Sequence, residues 1–222
     1  MRKDMKFLVL FFTLIGTFIA STSAQQVIRV TCVGDSITEG SGLSPESSYP
    51  SQLQTILGKD WLIQNCGISG RTLLEKGDFP YRQDPAYQRA LESKPHFVII
   101  MLGTNDTKPH NWKFQQEFYP NYLSLVKSFE KLSPQPTIFI CRPCPIPGEG
   151  NFGINNANLQ QAITEINRLA SAKKLDIIDM HAALKDYPTL IPDRVHPNAD
   201  GAKKMAEAAA KILLEKKSDL RR

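Results

Sequence analysis

Five short runs rich in valine and isoleucine recur along this 222-residue chain, and segments with helical periodicity separate them. Each run is short enough to be a strand that is buried on both faces, as strands of parallel sheets are. Parallel neighbours need crossover connections, and the helical segments between the runs can supply them. The runs cover residues 27–33, 61–66, 97–102, 137–141 and 175–179.

The helical segments also have local signals at their ends. Asp84 and Pro85 form an N-cap followed by proline at the first helical position, where its missing N–H does no harm. The alternation predicts an α/β fold, a three-layer α/β/α sandwich around a five-stranded parallel sheet of flavodoxin-like order. The predicted helices cover residues 49–57, 85–92, 114–132, 156–172 and 199–214.

The amino terminus has the three parts of a secretory signal peptide. Basic residues precede an apolar or small run over residues 7–20, and small residues suited to signal peptidase continue to Ala24. The run is shorter than the roughly 20 residues that a spanning helix needs, so cleavage after Ala24 is favoured over a membrane anchor. A signal peptide at residues 1–24 predicts a secreted or periplasmic protein with no stable membrane anchor.

The remaining chain, residues 25–222, is long enough for one full core and short for two, which predicts a single domain. Removing residues 1–24 takes away three basic residues and one acidic residue, so the formal charge falls from +5 to +3. The basic residues that remain are scattered, apart from a cluster at the carboxyl end. So mild an excess does not favour nucleic acid as a partner, and we expect none.

Four cysteines remain after cleavage: Cys32, Cys66, Cys141 and Cys144. Export permits disulfides, but three of these residues lie in or at the ends of predicted strands, where buried thiols behave as small hydrophobic groups. Free buried thiols are therefore favoured, with a disulfide as the alternative. The spacing of Cys141 and Cys144 is not accompanied by a second Cys or His pair at ligand spacing, so we expect no metal and no other cofactor.

Polar signatures follow several of the predicted strands. Because ligands of such folds bind where the carboxyl ends of the strands meet, these segments are predicted to converge on one edge of the sheet. Gly34-Asp35-Ser36, taken alone, is also compatible with an ordinary Asx or Ser turn. The other signatures are Gly-Ile-Ser-Gly at residues 67–70, Gly-Thr-Asn-Asp at residues 103–106 and Asp-Arg-Val-His at residues 193–196.

Together these segments contain the groups that a serine nucleophile needs: a base, a carboxylate that orients the base, and donors for an oxyanion. Asp193 and His196 can share one short turn, in which the carboxylate accepts from the imidazole and leaves Nε2 free for the Ser36 proton. Asn105 can offer two N–H donors without adding charge, and Gly67 lets its amide approach a substrate closely. The alternative is that Asn105 completes a turn and that Asp193 caps another.

In this order the segments resemble the sequence blocks of the SGNH hydrolases, also called GDSL esterases and lipases, over nearly the whole mature chain. The resemblance implies that Ser36 is the nucleophile and that His196, oriented by Asp193, is the base. It further implies an oxyanion hole made by the Ser36 and Gly67 backbone N–H groups and the Asn105 side chain.

Three other polar residues near these segments are given different roles. Asp35 and Asp106 are interpreted as organisers of their loops. His181, which follows the fifth predicted strand, is the second candidate for the base.

Arg71 and the loop at residues 105–112 resemble a subgroup of bacterial SGNH proteins linked to carbohydrate deacetylation, including sialate O-acetylesterase-like enzymes. Arg71, Phe79, Tyr81 and Trp112 would suit a sugar ring, although aromatic residues in loops also form small packing clusters. The resemblance implies a serine esterase that hydrolyses acetyl esters of a small-molecule or glycan substrate through an acyl-enzyme.

Other functions remain as alternatives. A lysophospholipase or thioesterase needs a long apolar groove, whereas the loops contain Pro, Gly, Asn and charged residues and no extended amphipathic lid. A noncatalytic glycan-binding module of the same fold is a second alternative, which the joint presence of the serine, histidine, aspartate and asparagine disfavours. Nucleotide binding is disfavoured because residues 33–42 fit neither the dinucleotide nor the P-loop pattern.

Overall fold

A computed structural model describes residues 27–218, so the predicted signal peptide lies outside the described residues. Within this range five parallel strands form one sheet. The second strand along the chain is at one edge, the first is beside it, and the third, fourth and fifth follow in order, which confirms the predicted flavodoxin-like order. The strands are β1 Ile28–Gly34, β2 Trp61–Gly67, β3 Phe97–Met101, β4 Thr137–Arg142 and β5 Asp176–Asp179.

Eight α-helices of the described residues connect or follow these strands. They are α1 Ser36–Glu39, α2 Tyr49–Leu57, α3 Pro85–Glu92, α4 Pro109–Trp112, α5 Phe118–Glu130, α6 Asn156–Lys173, α7 Met180–Leu184 and α8 Ala199–Lys216. The short helices α1, α4 and α7 were not predicted, because four or five residues are too few to show a helical period.

The bounds of α2 and α3 agree with the prediction, whereas α5 begins later than expected. The sequence predicted a helix from residue 114, but Pro120 has no N–H to donate to the preceding turn. In a helix that begins at Phe118, Pro120 lies in the first turn, where that N–H is not needed. A 3₁₀ turn, Gln115–Glu117, occupies the preceding residues instead.

Two apolar cores cover the two faces of the sheet. β3, at its centre, is buried throughout, and its alternate residues point into different cores. Phe97, Ile99 and Met101 join the core that α2, α7 and α8 cover, whereas Val98 and Ile100 join the core that α3, α5 and α6 cover. The strands are thereby fixed in the middle layer, and their carboxyl ends present loops at one edge.

All four cysteines are buried and free. Burial raises the pKa of the Cys32 thiol to about 12, which keeps it protonated. The prediction of buried thiols is therefore confirmed. Among residues 27–218 no helix is long and apolar enough to cross a membrane, and no cluster of three or more His, Cys, Asp or Glu side chains could hold a metal ion.

Candidate active site

Ser36 is presented by a sharp turn between β1 and α1. Gly34 is the last residue of β1, and Asp35 is the N-cap of α1, with Oδ1 accepting the Ile37 N–H at 3.0 Å. A Cβ atom on Gly34 would lie 2.0 Å from Thr38 Oγ1, so only glycine allows α1 to fold back this closely. The turn leaves the Ser36 hydroxyl at the carboxyl edge of the sheet.

Ser36, His196 and Asp193 form one chain of hydrogen bonds. Ser36 Oγ lies 2.9 Å from His196 Nε2, and His196 Nδ1 lies 2.7 Å from Asp193 Oδ2. Burial alone would raise the pKa of Asp193, but hydrogen bonds from the His196 backbone and ring and from the Val195 N–H lower it. The ionised carboxylate accepts from Nδ1–H, so Nε2 is free to accept the serine proton.

His181, the second candidate for the base, lies elsewhere. It belongs to α7, and the charges that influence its pKa are those of Asp179, Arg142 and Lys185. Burial is the largest influence, and the pKa of His181 is lowered. Of the two histidines, the structure brings only His196 to Ser36.

Asn105 lies between the loops that follow β1 and β2. Its side chain is buried, and Nδ2 donates to Asp35 Oδ2 at 3.4 Å and to the Arg71 carbonyl at 3.3 Å. Both distances are at the long end of the range for hydrogen bonds. The amide is therefore oriented by two partners that hold it weakly, which leaves its donors available to a third acceptor.

The structure contradicts the prediction that Gly67 offers a free backbone donor. The Gly67 N–H donates to Asn65 Oδ1 at 2.9 Å and is already satisfied. Glycine is needed there for packing, because a Cβ atom would lie 2.3 Å from the Glu39 backbone nitrogen. The amide of Gly70 is the better placed group: it has no hydrogen-bond partner among the described residues, and the next residue, Arg71, is the one that contacts Asn105.

Two buried carboxylates organise the loops around Ser36, as predicted. Asp106 accepts the Leu73 N–H at 3.0 Å and the Leu74 N–H at 2.7 Å, which joins the loop after β3 to the loop after β2. Burial raises the pKa of Asp106 to about 7 and that of Asp35 to about 6, although hydrogen bonds oppose both shifts.

Tyr81 and Trp112, which were predicted to bind substrate, are part of the core. Tyr81 is 1% exposed, and its hydroxyl donates to the Cys66 carbonyl at 2.8 Å. Trp112 is 5% exposed, lies edge-on to Phe118 and donates through Nε1 to Gln161 Oε1 at 3.2 Å. A sugar ring cannot stack on rings buried in this way, so the alternative of a packing cluster is correct for both.

Arg71 and Phe79 do lie at the surface beside the site. Arg71 forms an ion pair with Asp84 at 2.6 Å, and its guanidinium lies 5.6 Å from the centre of the Phe79 ring, which is 55% exposed. They line a cleft of about 150 Å³. Since the carbonyl of Arg71 contacts Asn105, this cleft begins next to the residues around Ser36.

A cavity of about 10 Å³ adjoins Ser36 and His196. A space of this size holds roughly one water-sized group. A wider cleft of about 350 Å³ shares four of its lining residues and extends along the turn that carries His196. The small cavity is lined by Ser36, Ile37, Gly40, Ser41, Leu43, His196, Pro197, Ala202 and Met205.

Phe152 also contacts the site, although it was not predicted from the sequence: its ring packs against His196 with centroids 5.7 Å apart. It lies in the loop between β4 and α6, a segment recognised only as irregular. The available signal was an aromatic residue with glycine on either side at positions 150 and 153, a composition that suits a functional loop better than a packed one.

A buried parallel sheet with a serine, histidine and aspartate in hydrogen-bonded order at its edge is the arrangement of an acyl hydrolase. The chain belongs to the GDSL-like lipase/acylhydrolase family, which matches residues 32–204. It is 38% identical to an acetylxylan esterase of Xylanibacter ruminicola; the match covers 88% of this chain and 45% of that protein, so the chain spans less than half of its relative.

Solved structures with the same fold have lower sequence identity. A carbohydrate acetylesterase from Sinorhizobium meliloti superposes with a TM-score of 0.71 at 23% identity, covering 85% of this chain and 99% of that one. The native aryl esterase of M. smegmatis gives a TM-score of 0.72 at 20% identity, with the same coverage. The α/β sandwich predicted from the sequence is thus a fold known from experiment.

Proposed function

We propose that this protein is a serine esterase that removes acetyl groups from O-acetylated carbohydrates through an acyl-enzyme. The observation that carries the proposal is the chain of hydrogen bonds from Ser36 through His196 to Asp193, next to a cavity with room for one small group. Membership of an acyl hydrolase family and similarity to an acetylxylan esterase support it.

In the proposed reaction Ser36 Oγ attacks the ester carbonyl while His196 Nε2 takes its proton. Asp193 stabilises the imidazolium that forms. His196 then gives this proton to the oxygen of the departing alcohol, and the acetyl group remains on Ser36. A water molecule, activated by the same imidazole, releases acetate and restores the serine.

The tetrahedral intermediate carries negative charge on the former carbonyl oxygen, and preformed donors lower its energy. We assign this role to the side-chain amide of Asn105 and to the backbone N–H groups of Ser36 and Gly70. Neither N–H group has a hydrogen-bond partner among residues 27–218. The weak contacts of Asn105 with Asp35 and Arg71 let it turn its amide to the oxyanion.

The size of the small cavity favours acetyl over longer acyl groups. Its volume of about 10 Å³ has room for little more than the methyl group of an acetyl ester, so an octanoyl chain would have to extend into the neighbouring cleft of about 350 Å³, where Ser41 and Gly42 are exposed. Each methylene that such a chain leaves in solvent forgoes about 0.8 kcal/mol. A lysophospholipase or thioesterase is therefore not favoured.

The test combines one variant with one probe. Ser36→Ala should lose nearly all hydrolysis of p-nitrophenyl acetate and acetylated xylan while keeping its circular dichroism spectrum, and a fluorophosphonate probe should label Ser36 in the native protein. Ser44→Ala, at an exposed serine, is the matched control and should retain full activity. A fully active Ser36→Ala variant, or labelling of another serine, contradicts the proposed nucleophile.

We further propose that the protein acts outside the cytoplasm, because residues 1–24 have the composition of a signal peptide. Amino-terminal sequencing of the exported protein should begin at Gln25. An intact amino terminus on protein recovered from the cytoplasm contradicts this proposal.

A further inference from the structure

Phe152 combines three features that are unusual for a large apolar residue. Its side chain is 57% exposed, its backbone has a φ angle of +53°, and its ring packs against the ring of His196. The left-handed region is sterically unfavourable for a bulky residue, and an exposed ring gains little from burial. The positive φ angle and the exposed ring do not stabilise the fold, and glycine at this position would remove the strain and the ring.

The loop that carries Phe152 is fastened to the turn that carries His196. Ile146 and Ile154, on either side of the loop, join a small apolar cluster with Val195, which lies in that turn. Asn151 Nδ2 donates to the Asp193 carbonyl at 3.2 Å, while Asn151 Oδ1 accepts the Phe152 N–H at 2.8 Å. These contacts fix the backbone of the loop at Phe152, and the ring itself packs against His196.

The chemistry of the proposed reaction defines which part of the substrate lies there. His196 Nε2 must reach the oxygen of the departing alcohol in order to protonate it. The alcohol therefore lies beside the imidazole, whereas the proposed function assigns the acyl group to the small cavity, whose lining does not include Phe152. Phe152, which packs against the imidazole, borders the alcohol side.

We propose that Phe152 is the platform on which the sugar ring of the departing alcohol packs, and that it thereby determines specificity for carbohydrate esters. The inference rests on the proposed esterase function and names the subsite of that function. A pyranose has an apolar face of C–H groups that matches the face of a phenyl ring, and the ring is held in place before the substrate binds. Little side-chain freedom is lost on binding, because the contact with His196 already restricts the ring.

The test compares two acetyl esters that differ only in the alcohol: acetylated xylo-oligosaccharide, which has a sugar ring, and ethyl acetate, which does not. Phe152→Gly should raise KM for the oligosaccharide roughly threefold to tenfold, as expected for one aromatic contact, and should change kcat/KM for ethyl acetate less than twofold. Its Tm should be unchanged or higher, because the backbone strain is relieved. Phe152→Tyr should restore the wild-type KM.

Tyr187→Ala is the matched control, since Tyr187 is also an exposed aromatic residue and its ring faces Lys204. It should leave both substrates unaffected. If Phe152→Gly lowers kcat/KM for both esters equally, the ring only supports His196 and the inference is wrong; if neither changes, it is also wrong. Calorimetric binding of the acetylated oligosaccharide to Ser36→Ala, with and without Phe152→Gly, tests the platform without turnover. A wild-type protein that is inactive on every acetyl ester would contradict the proposed function. The calorimetric measurement would still decide whether Phe152 binds the sugar.

Discussion

Asn105 is the residue at which the loops after three strands meet. It follows β3, and its amide touches Asp35 after β1 and Arg71 after β2. A buried amide normally makes strong hydrogen bonds, because an unsatisfied one is costly. Here both contacts are long, and the expected compensation is a stronger bond to the charge that develops on the substrate during the reaction.

Asn105→Ala should therefore lower kcat by roughly 10² to 10³ with a smaller change in KM, the effect typical of losing one oxyanion donor. Steady-state kinetics with p-nitrophenyl acetate measure both constants. Asn156→Ala, at an exposed position on α6, is the control and should behave as wild type. An Asn105→Ala variant in which only KM rises assigns this residue to substrate positioning.

Gly67 and Gly70 should respond differently to the same substitution. Gly67→Ala places a Cβ atom 2.3 Å from the Glu39 backbone, so it should lower Tm markedly. At Gly70 the nearest atom is 3.8 Å away, but the φ angle of +77° strains alanine. Gly70→Ala should fold with a small loss of Tm and a larger loss of kcat, since its amide shifts. If kcat falls in the same proportion to Tm in both variants, the loss at Gly70 is explained by destabilisation alone, which argues against a donor there.

The carboxyl edge of the sheet is held together by loop-to-loop contacts. Asp106, after β3, binds two backbone N–H groups of the loop after β2, and Glu39 at the end of α1 accepts from both the backbone and the side chain of Ser69. The first of these contacts involves a fully buried carboxylate whose charged form is disfavoured by burial. The stability of this edge should consequently depend on pH.

The direction of this pH dependence follows from the pKa of Asp106, which is raised from 3.8 to about 7 in the folded protein. Between these values the folded state retains a proton that the unfolded state has released, so rising pH favours unfolding. The contribution of Asp106 to the free energy of unfolding is full below pH 4 and is lost by about pH 7, and it falls by up to about 1.4 kcal/mol per pH unit. Asp35, with a pKa of about 6, contributes in the same direction.

Urea unfolding of the wild type and of Asp106→Asn at several pH values between 4.5 and 8 measures this contribution. The stability advantage of the wild type should shrink as the pH rises. Asp106→Asn cannot titrate, and its amide N–H₂ must face one of the two backbone donors, so it should be less stable at the acidic end. A difference independent of pH contradicts the raised pKa.

Both apolar cores must form before all four cysteine thiols are protected from solvent. Cys32, Cys141 and Cys144 lie in one core and Cys66 in the other. We expect none of the four to react with a thiol-specific chromogenic reagent in the native protein, and all four to react in urea without prior reduction. Fewer than four reactive thiols in unreduced, unfolded protein would indicate a disulfide.

The sheet order was predictable because it depends on local periodicity and on the alternation of strands and helices. The contacts among Ser36, His196 and Asp193 were predicted from the convergence of strand ends together with the resemblance to SGNH hydrolases. The sequence could not identify which glycine amide is free, since that depends on the side chain of Asn65. It also could not separate buried from exposed aromatic residues: Tyr81 and Phe79 are two positions apart, yet one is in the core and the other in solvent. Whether such a side chain is buried depends on the path of the loop, which periodicity does not encode.

The hydrogen bond between Ser36 and His196 joins residues 160 positions apart. During synthesis Ser36, the proposed nucleophile, leaves the ribosome long before His196, its proposed base, and β5 and the turn before α8 must be in place before the two can meet. A chain stalled or cleaved before residue 196 thus contains the serine without any means of activating it. The connectivity of the fold therefore delays the activation of Ser36 until the chain has been synthesised and folded at least as far as His196.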